Sequence, residues 1–202
     1  MSPPVVLQSI REQIANRLRS EVLSGHFAEG EPLREAQLAE RFGVSRGPIR
    51  DALLLLTQEG VLVAQRNSGV RVGSGPSREI QPLVVSLRRQ IETQALTMIF
   101  DRLSSEDDAR WKTQLERLRE ACEAGDLPAA IELDIAFHRS IVERTGDADL
   151  VSIWLPIITR MLLRYSRHKK LMDVYREHAK VVKAIKARNK AAALAALEAN
   201  IV

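Results

Sequence analysis

Apolar positions recur at helical spacing along most of this chain, and in one short stretch they alternate instead. Ile10, Ile14, Leu18 and Val22 repeat every four residues, which predicts an amphipathic helix over 9–23 stopped by Gly25. Residues 26–33, HFAEGEPL, carry glycine and proline and read as a loop. Residues 35–42 (EAQLAERF) predict a short helix with Leu38 and Phe42 inward. After a turn at Gly43 to Ser45, Ile49, Leu53 and Leu56 form an apolar stripe with Ala52 beside it. Ser45 suits the N-cap, its oxygen placed to accept a first-turn N–H, and Pro48 falls in that turn, where a missing N–H costs little. Gly60 stops the helix, and Arg46 and Arg50 share its other face at the leading end. Val61, Val63, Val70 and Val72 then alternate around Asn67-Ser68-Gly69, which predicts a β-hairpin.

Residues 73–77, GSGPS, read as a linker by composition. The boundaries expected are 1–73 for the first domain, 74–79 for the linker and 80–202 for the second domain. From Arg78 onward the pattern is helical. Six helices are expected, over 80–102, 104–124, 127–144, 148–168, 172–188 and 190 to the end, with Pro156 kinking the fourth. Short joints between them predict an antiparallel six-helix bundle. The fold class is therefore mainly α, with one small β-hairpin.

Composition narrows the class. Hydrophobic residues make up 45% of the 202 residues and aromatics only 4%, which suits Leu/Ala/Ile-packed helices better than a β-sandwich. The net charge of +4 is compatible with a nucleic-acid partner without requiring one. The single cysteine, Cys122, can form neither an internal disulfide nor a cysteine metal cluster, which points to a reducing compartment. No signal pattern or membrane-length apolar run is present, so a cytoplasmic protein with no membrane partner is expected. Residues 160–190 hold eleven Lys/Arg against Asp173 and Glu177, a run that reads as a solvated helix face.

Two constellations carry candidate chemistry. Helix, tight turn, helix and hairpin together make a winged helix-turn-helix, with Arg46 and Arg50 aimed at a major groove. Arg66 precedes the wing tip, and Gly69 there lets the backbone approach a phosphate or minor groove. In the bundle, Asp134 and His138 are four apart on one helix face, and His178 lies on another helix. That set reads either as a divalent-metal arrangement or as an ion pair with a core histidine.

Residues 7–72 resemble the winged-helix domain of the GntR family of bacterial transcription regulators. The resemblance rests on LSGHFAEGEPL, EAQLAERFGVSRGPIRDAL and EGVLVAQRNSGVRV. It implies DNA contacts by Arg46, Arg50 and the Gly69 wing tip, with Ser45 and Gly47 against the DNA backbone, Arg34 on a phosphate and Arg66 on the wing. Position 47 is Gly where the family often has Thr, and Asp51 stands where Glu is usual. The stretches LRRQIE, ELDIAFHRSIVERTGD, REHAKVVKAI and AAALAALEANI resemble the FCD effector-binding domain of the FadR subfamily. Many members of that subfamily hold a metal with one Asp and three His. Asp134, His138 and His178 match three of those positions, and Asn200 stands in the fourth.

The resemblance implies a small-carboxylate effector facing Arg88, with Arg164 as a second anion contact or a surface arginine. It also implies a zinc-like divalent cofactor and a homodimer on palindromic double-stranded operator DNA. Repression would be relieved by ligand as the bundle shifts the spacing of the two DNA-binding heads. The competing readings are a metal-dependent helical-bundle hydrolase and a DNA binder with a degenerate sensor. Against the hydrolase, His138 is followed by Arg139 rather than Asp, and no GxSxG, Walker or HExxH motif is present.

Overall fold

The computed structural model describes residues 9–66, 69–163 and 170–201. They form two compact units, Met1–Ser74 and Gly75–Val202. In the first, α1 (Ile10–Leu23) starts at Ser9, whose hydroxyl accepts from the Glu12 N–H while the Glu12 carboxylate accepts from the Ser9 N–H. Ile14, Leu18 and Val22 are buried as the spacing requires. Ile10 is 58% exposed, so the buried stripe begins one turn later than expected.

Helices α2 (Glu35–Phe42) and α3 (Arg46–Gln58) are joined through Gly43, whose φ of +65° lies in the left-handed region and reverses the chain within a few residues. Ile49, Ala52, Leu53 and Leu56 are buried on α3, which packs against α1 and α2. Ser45 holds the N-cap position in extended backbone, but its side chain makes no capping bond. The usual N–H at the third helical position belongs here to Pro48, which has none, so the expected capping role does not form. Arg19 of α1 reaches Glu59 at the end of α3 through bonds of 2.7 and 2.6 Å, with both side chains buried.

Strands β2 (Leu62–Gln65) and β3 (Gly69–Val72) pair antiparallel, with Leu62 opposite Val72 and Val63 opposite Arg71. Residues directly opposite share a face, so Leu62, not Val63, joins Val72 inside. Val63 is 55% exposed, and Val61 is buried ahead of the strand. The expected alternation is thus offset by one residue on the first strand. The stretch read as a loop contains a third strand, β1 (Pro32–Leu33), which adds to β3 and gives the order β1-β3-β2. Two residues are too few to display a period in sequence. Gly73 donates to the Val61 carbonyl at 2.8 Å, and a Cβ there would stand 2.9 Å from that oxygen.

In the second unit, α4 (Gln81–Ile99) tightens into a 3₁₀ turn at Phe100–Arg102 instead of running on as one α-helix. Then follow α5 (Ser105–Ala124), α6 (Leu127–Glu143), α7 (Ala148–Leu162), α8 (Leu171–Lys186) and α9 (Lys190–Asn200). Asp126, Asp147 and Asn189 cap α6, α7 and α9, and Ser104 and Asp107 form a reciprocal box on α5. Arg188, expected within the fifth bundle helix, has φ of +54° and lies beyond its end. Pro156 lies inside α7, and the rest of the expected fourth helix, residues 164–169, is outside the described residues. Helix α4 packs against α6, α7 and α9, and α5 against α6 and α8, around Leu96, Ile99, Trp111, Phe137, Ile141, Trp154 and Ile158.

The buried Arg19–Glu59 pair yields a stability prediction. Glu59→Ala strands the guanidinium and is expected to cost about 3–5 kcal/mol in chemical denaturation of the first unit. A loss of under about 1 kcal/mol would equate the pair with an exposed one.

Candidate functional site

The leading end of α3 is a cationic surface. Arg34 at the start of α2, Ser45, Arg46, Gly47 and Arg50 at the start of α3, and Arg66 and Gly69 on the hairpin are all exposed. Arg50 donates to Glu35 at 3.3 and 3.1 Å, and its side chain is 70% exposed. That hydrogen bond holds the Glu35 carboxyl below its ordinary value. An exposed pair of this kind is worth little in water, so Arg50 can exchange it for a phosphate or a guanine edge. A Cβ added at Gly47 meets nothing within 4 Å, so a larger side chain fits there. Sequence reading missed Glu35 as the partner of Arg50; the two are fifteen residues apart and meet only because α2 packs on α3.

The second cluster lies in the helical unit, with both histidines buried and Asp134 partly buried. Asp134 and His138 on α6 and His178 on α8 each offer a ligand atom, all within 4.8 Å of one another. Asp134 Oδ1 lies 3.9 Å from His138 Nε2 and 3.2 Å from His178 Nε2. The other ring nitrogens are committed. His178 Nδ1 donates to the Val174 carbonyl at 2.8 Å, and His138 Nδ1 meets Glu92 Oε2 at 2.5 Å. Both Nε2 atoms are buried and have no hydrogen-bond partner among the described residues.

Glu92 on α4 is the hub behind this set. It accepts from Arg88 Nε at 2.7 Å, from Trp154 Nε1 on α7 at 2.7 Å, and pairs with His138. Burial alone would raise its carboxyl, but the charges of Arg88 and His138 and hydrogen bonds from both hold it at about 2. Burial works on Asp134 in the same direction and is outweighed by His178 and His138, which keep that carboxyl well below its usual range. Burial pushes His138 below the ordinary imidazole value, against the opposing pull of Glu92. His138 Nδ1 faces the Glu92 carboxylate, and a proton held there directs the Nε2 lone pair toward Asp134.

Arg88 is 3% exposed and its Nη2 has no hydrogen-bond partner among the described residues; its Nη1 meets only Met161 Sδ, at 3.9 Å. Half-buried Asn200 comes to His178 from the Nδ1 side, with its amide nitrogen 3.3 Å from that atom. Arg164 lies outside the described residues. Sequence reading missed Glu92, although its spacing of four from Arg88 within LRRQIE was the available signal. It also missed the indole N–H of Trp154, which donates to Glu92 across α7 and α4.

Two imidazole nitrogens with free lone pairs and one carboxylate suit a zinc-like divalent cation. Each imidazole is oriented through its other nitrogen by a carboxylate or a carbonyl, as metal-binding histidines are. The residues present fit such an ion.

The hub predicts a pH dependence. A carboxyl whose folded value is depressed contributes stability that is present above its unfolded value and lost as pH falls through the folded one. For Glu92 that window runs from the ordinary 4.5 down to about 2. Glu92→Gln is expected to destabilise the unit by about 3–5 kcal/mol at neutral pH by stranding Arg88. It should also flatten the acid limb of the thermal-unfolding profile. An acid limb identical to that of the unsubstituted protein would remove Glu92 as its source.

Comparison with known proteins identifies both units. Residues 10–72 match the family of bacterial regulatory proteins, gntR family, and residues 84–202 match the FCD domain. An uncharacterized HTH-type transcriptional regulator of Bacillus subtilis (strain 168) is 28% identical over 186 residues, covering 90% of this chain and 83% of the relative. The gluconate operon transcriptional repressor of Bacillus licheniformis is 27% identical over 204 residues, covering 93% and 80%. The solved structure of E. coli McbR/YncC superposes with a TM-score of 0.77 at 23% identity, over 96% of this chain and 94% of that one, which speaks to the fold. These relatives are regulators rather than enzymes. The chain belongs to the GntR family of DNA-binding transcription regulators, in its FadR-type branch, with an FCD effector-binding domain behind the winged helix.

Proposed function

We propose that this chain is a ligand-responsive repressor that binds a palindromic operator as a homodimer and senses a small carboxylate beside a divalent cation in its helical unit. The observation that carries the sensing half is the convergence on one network of three buried polar atoms with no hydrogen-bond partner among the described residues, Arg88 Nη2, His138 Nε2 and His178 Nε2, the last 3.2 Å from the Asp134 carboxylate. A buried orphan of this kind costs free energy in the empty protein, and an anion for Arg88 with a cation for the imidazoles satisfies all three. A bound cation would supply a Lewis-acidic anchor for a carboxylate oxygen. The chain's own part is to orient the imidazoles through Glu92 and Val174, to present Arg88, and to exclude water behind Trp154. Arg164 is kept as a second anion contact by resemblance to the family.

On DNA, Arg46 and Arg50 enter the major groove and read guanine edges or clamp phosphate. Arg34 takes a phosphate, Ser45 and Gly47 lie against the backbone, and Arg66 and Gly69 bring the wing to the neighbouring groove. The repressor reading follows the names of similar proteins, the gluconate operon repressors of two Bacillus species. A cytoplasmic location accords with work on DNA, and no helix among the described residues is long and apolar enough to cross a membrane. The homodimer is supported by an apolar face on two packed helices: Leu83, Leu87 and Met98 on α4 and Ile153 on α7 are exposed. An exposed apolar face of that kind suits a two-fold contact and hence a palindromic site.

Selection of binding sequences from a random DNA pool tests this reading. It should return an inverted repeat whose affinity changes with a carboxylic acid. A non-repeated site, or an affinity indifferent to every acid in a metabolite panel, would overturn it. On the selected site, Arg50→Ala should lose about 1–3 kcal/mol of binding, and an unchanged affinity would remove the contact. Leu87→Arg should shift the sedimenting species from dimer to monomer, and an unchanged mass would remove the α4 face from the interface.

A further inference from the structure

The three-stranded sheet of the winged helix carries an arginine that the DNA-binding surface described above leaves out. In the sheet's register Pro32 lies opposite Arg71, Arg71 opposite Val63, and Gly69 opposite Gln65. Residues directly opposite share a face, and every second residue along a strand returns to it. Leu33, Leu62 and Val72 are buried and make the inner face. The outer face is therefore Pro32, Val63, Gln65, Gly69 and Arg71, all exposed. Arg34 follows β1 in extended backbone, with φ of −100° and ψ of 121°, so the alternation carries it to the same outer face. There it falls beside Gly69 and diagonal to Arg71, a spacing of about 7–8 Å in a sheet.

The charge on Arg71 is held in place without being neutralised. Its Nε donates to Gln65 Oε1 on β2, and its Nη1 donates to the Gly30 carbonyl at 3.3 Å. Both acceptors are uncharged. Arg17, Arg19, Arg41 and Arg50 in the same unit each meet a carboxylate. Arg71 meets none among the described residues. The outer face itself carries no acid, and Glu31, just before β1, gives its carboxylate to the Ala28 N–H at 2.8 Å. A long side chain fixed by two neutral acceptors has met part of its ordering cost before any ligand arrives. What such a guanidinium suits is an anion.

From this placement and this unneutralised charge we propose that Arg71 is a further phosphate contact of the winged helix. It pairs with Arg34 to grip neighbouring phosphates of one DNA strand from the outer face of the sheet, while Gln65 and Gly30 hold its guanidinium in position. The proposal rests on the reading of Arg34 as a phosphate contact. It gives the two-residue strand β1 a use: by pairing with β3 it sets Arg34 and Arg71 on one face at a fixed separation. Contacts of this kind fix the register of the protein on the duplex, and the bases are left to the arginines of α3.

The test is fluorescence anisotropy of the full-length protein on the selected operator and on a random duplex, across about 50–200 mM salt. Arg71→Ala should lower the slope of log affinity against log salt by about one per bound protomer. It should weaken both duplexes by the same factor, because a phosphate contact carries no sequence information. Arg71→Lys should keep the slope, since lysine also pairs with phosphate. Arg34→Ala should match Arg71→Ala, and the double variant should lower the slope by about two per protomer. A slope unchanged in Arg71→Ala but lowered in Arg34→Ala would overturn the proposal and leave the Arg34 reading standing, with Arg71 a tie within the sheet. Slopes unchanged in both would overturn the two together. A loss confined to the operator would assign Arg71 to a base edge and overturn the phosphate role. Thermal unfolding of each variant checks that the sheet is intact.

Discussion

Burying a carboxylate among helices is tolerated only when every lone pair finds a donor, and the helical unit is arranged around that constraint at Glu92. The side chain is wholly buried, and its partners come from three helices: Arg88 from its own helix α4, His138 from α6 and Trp154 from α7. Each partner is itself buried, so displacement of any one strands the others in a medium where an unpaired charge is costly. This network fixes which face of α4 turns inward. It also fixes the tautomer of His138, and through that tautomer the direction of the Nε2 lone pair.

The arginines at the two candidate sites are held in opposite ways. In the winged helix, Arg19 and Glu59 are buried and lock α1 to the end of α3, while Arg50 and Glu35 are exposed and hold each other loosely. A rigid scaffold behind and an exchangeable arginine in front is what a groove-reading helix needs: the backbone frame must not move, and the contacting guanidinium must be free to change partner. In the helical unit the arginine at the site is buried instead, with one edge satisfied by Glu92 and the other left over. A ligand can shift a regulator only through its different affinity for two states. A buried, half-satisfied guanidinium near two imidazole nitrogens gathered at Asp134 is a place where that difference can be large.

The order of elements could be read from local rules. Four of the six described α-helix starts in the second unit carry a side-chain cap, the Ser104–Asp107 box and the Asp126, Asp147 and Asn189 caps, and these act within a few residues of sequence. The same holds for Gly43 between α2 and α3. Where the reading slipped, the cause was also physical. The two-residue strand β1 has no period to detect, and Ser45 sits at a cap whose third-position N–H is removed by Pro48. The hairpin register could not be set from Val61 and Val63, because pairing with Val72 selects Leu62 for the inner face.

The sequence alone therefore determined the two-domain order, the winged helix with its arginine-bearing leading end, and the pairing of Asp134 with His138 on one helix face. Their spacing in the chain is their spacing in space. Tertiary packing alone decided what lies across helices. It brought His178 to Asp134, put Glu92 behind His138, left Arg88 Nη2 without an acceptor, and turned Asn200 to the Nδ1 edge of His178. Those contacts join residues 22 to 46 positions apart. No local propensity encodes such separations; they follow from which helix faces bury against one another and from the demand that the polar groups buried with them be paired.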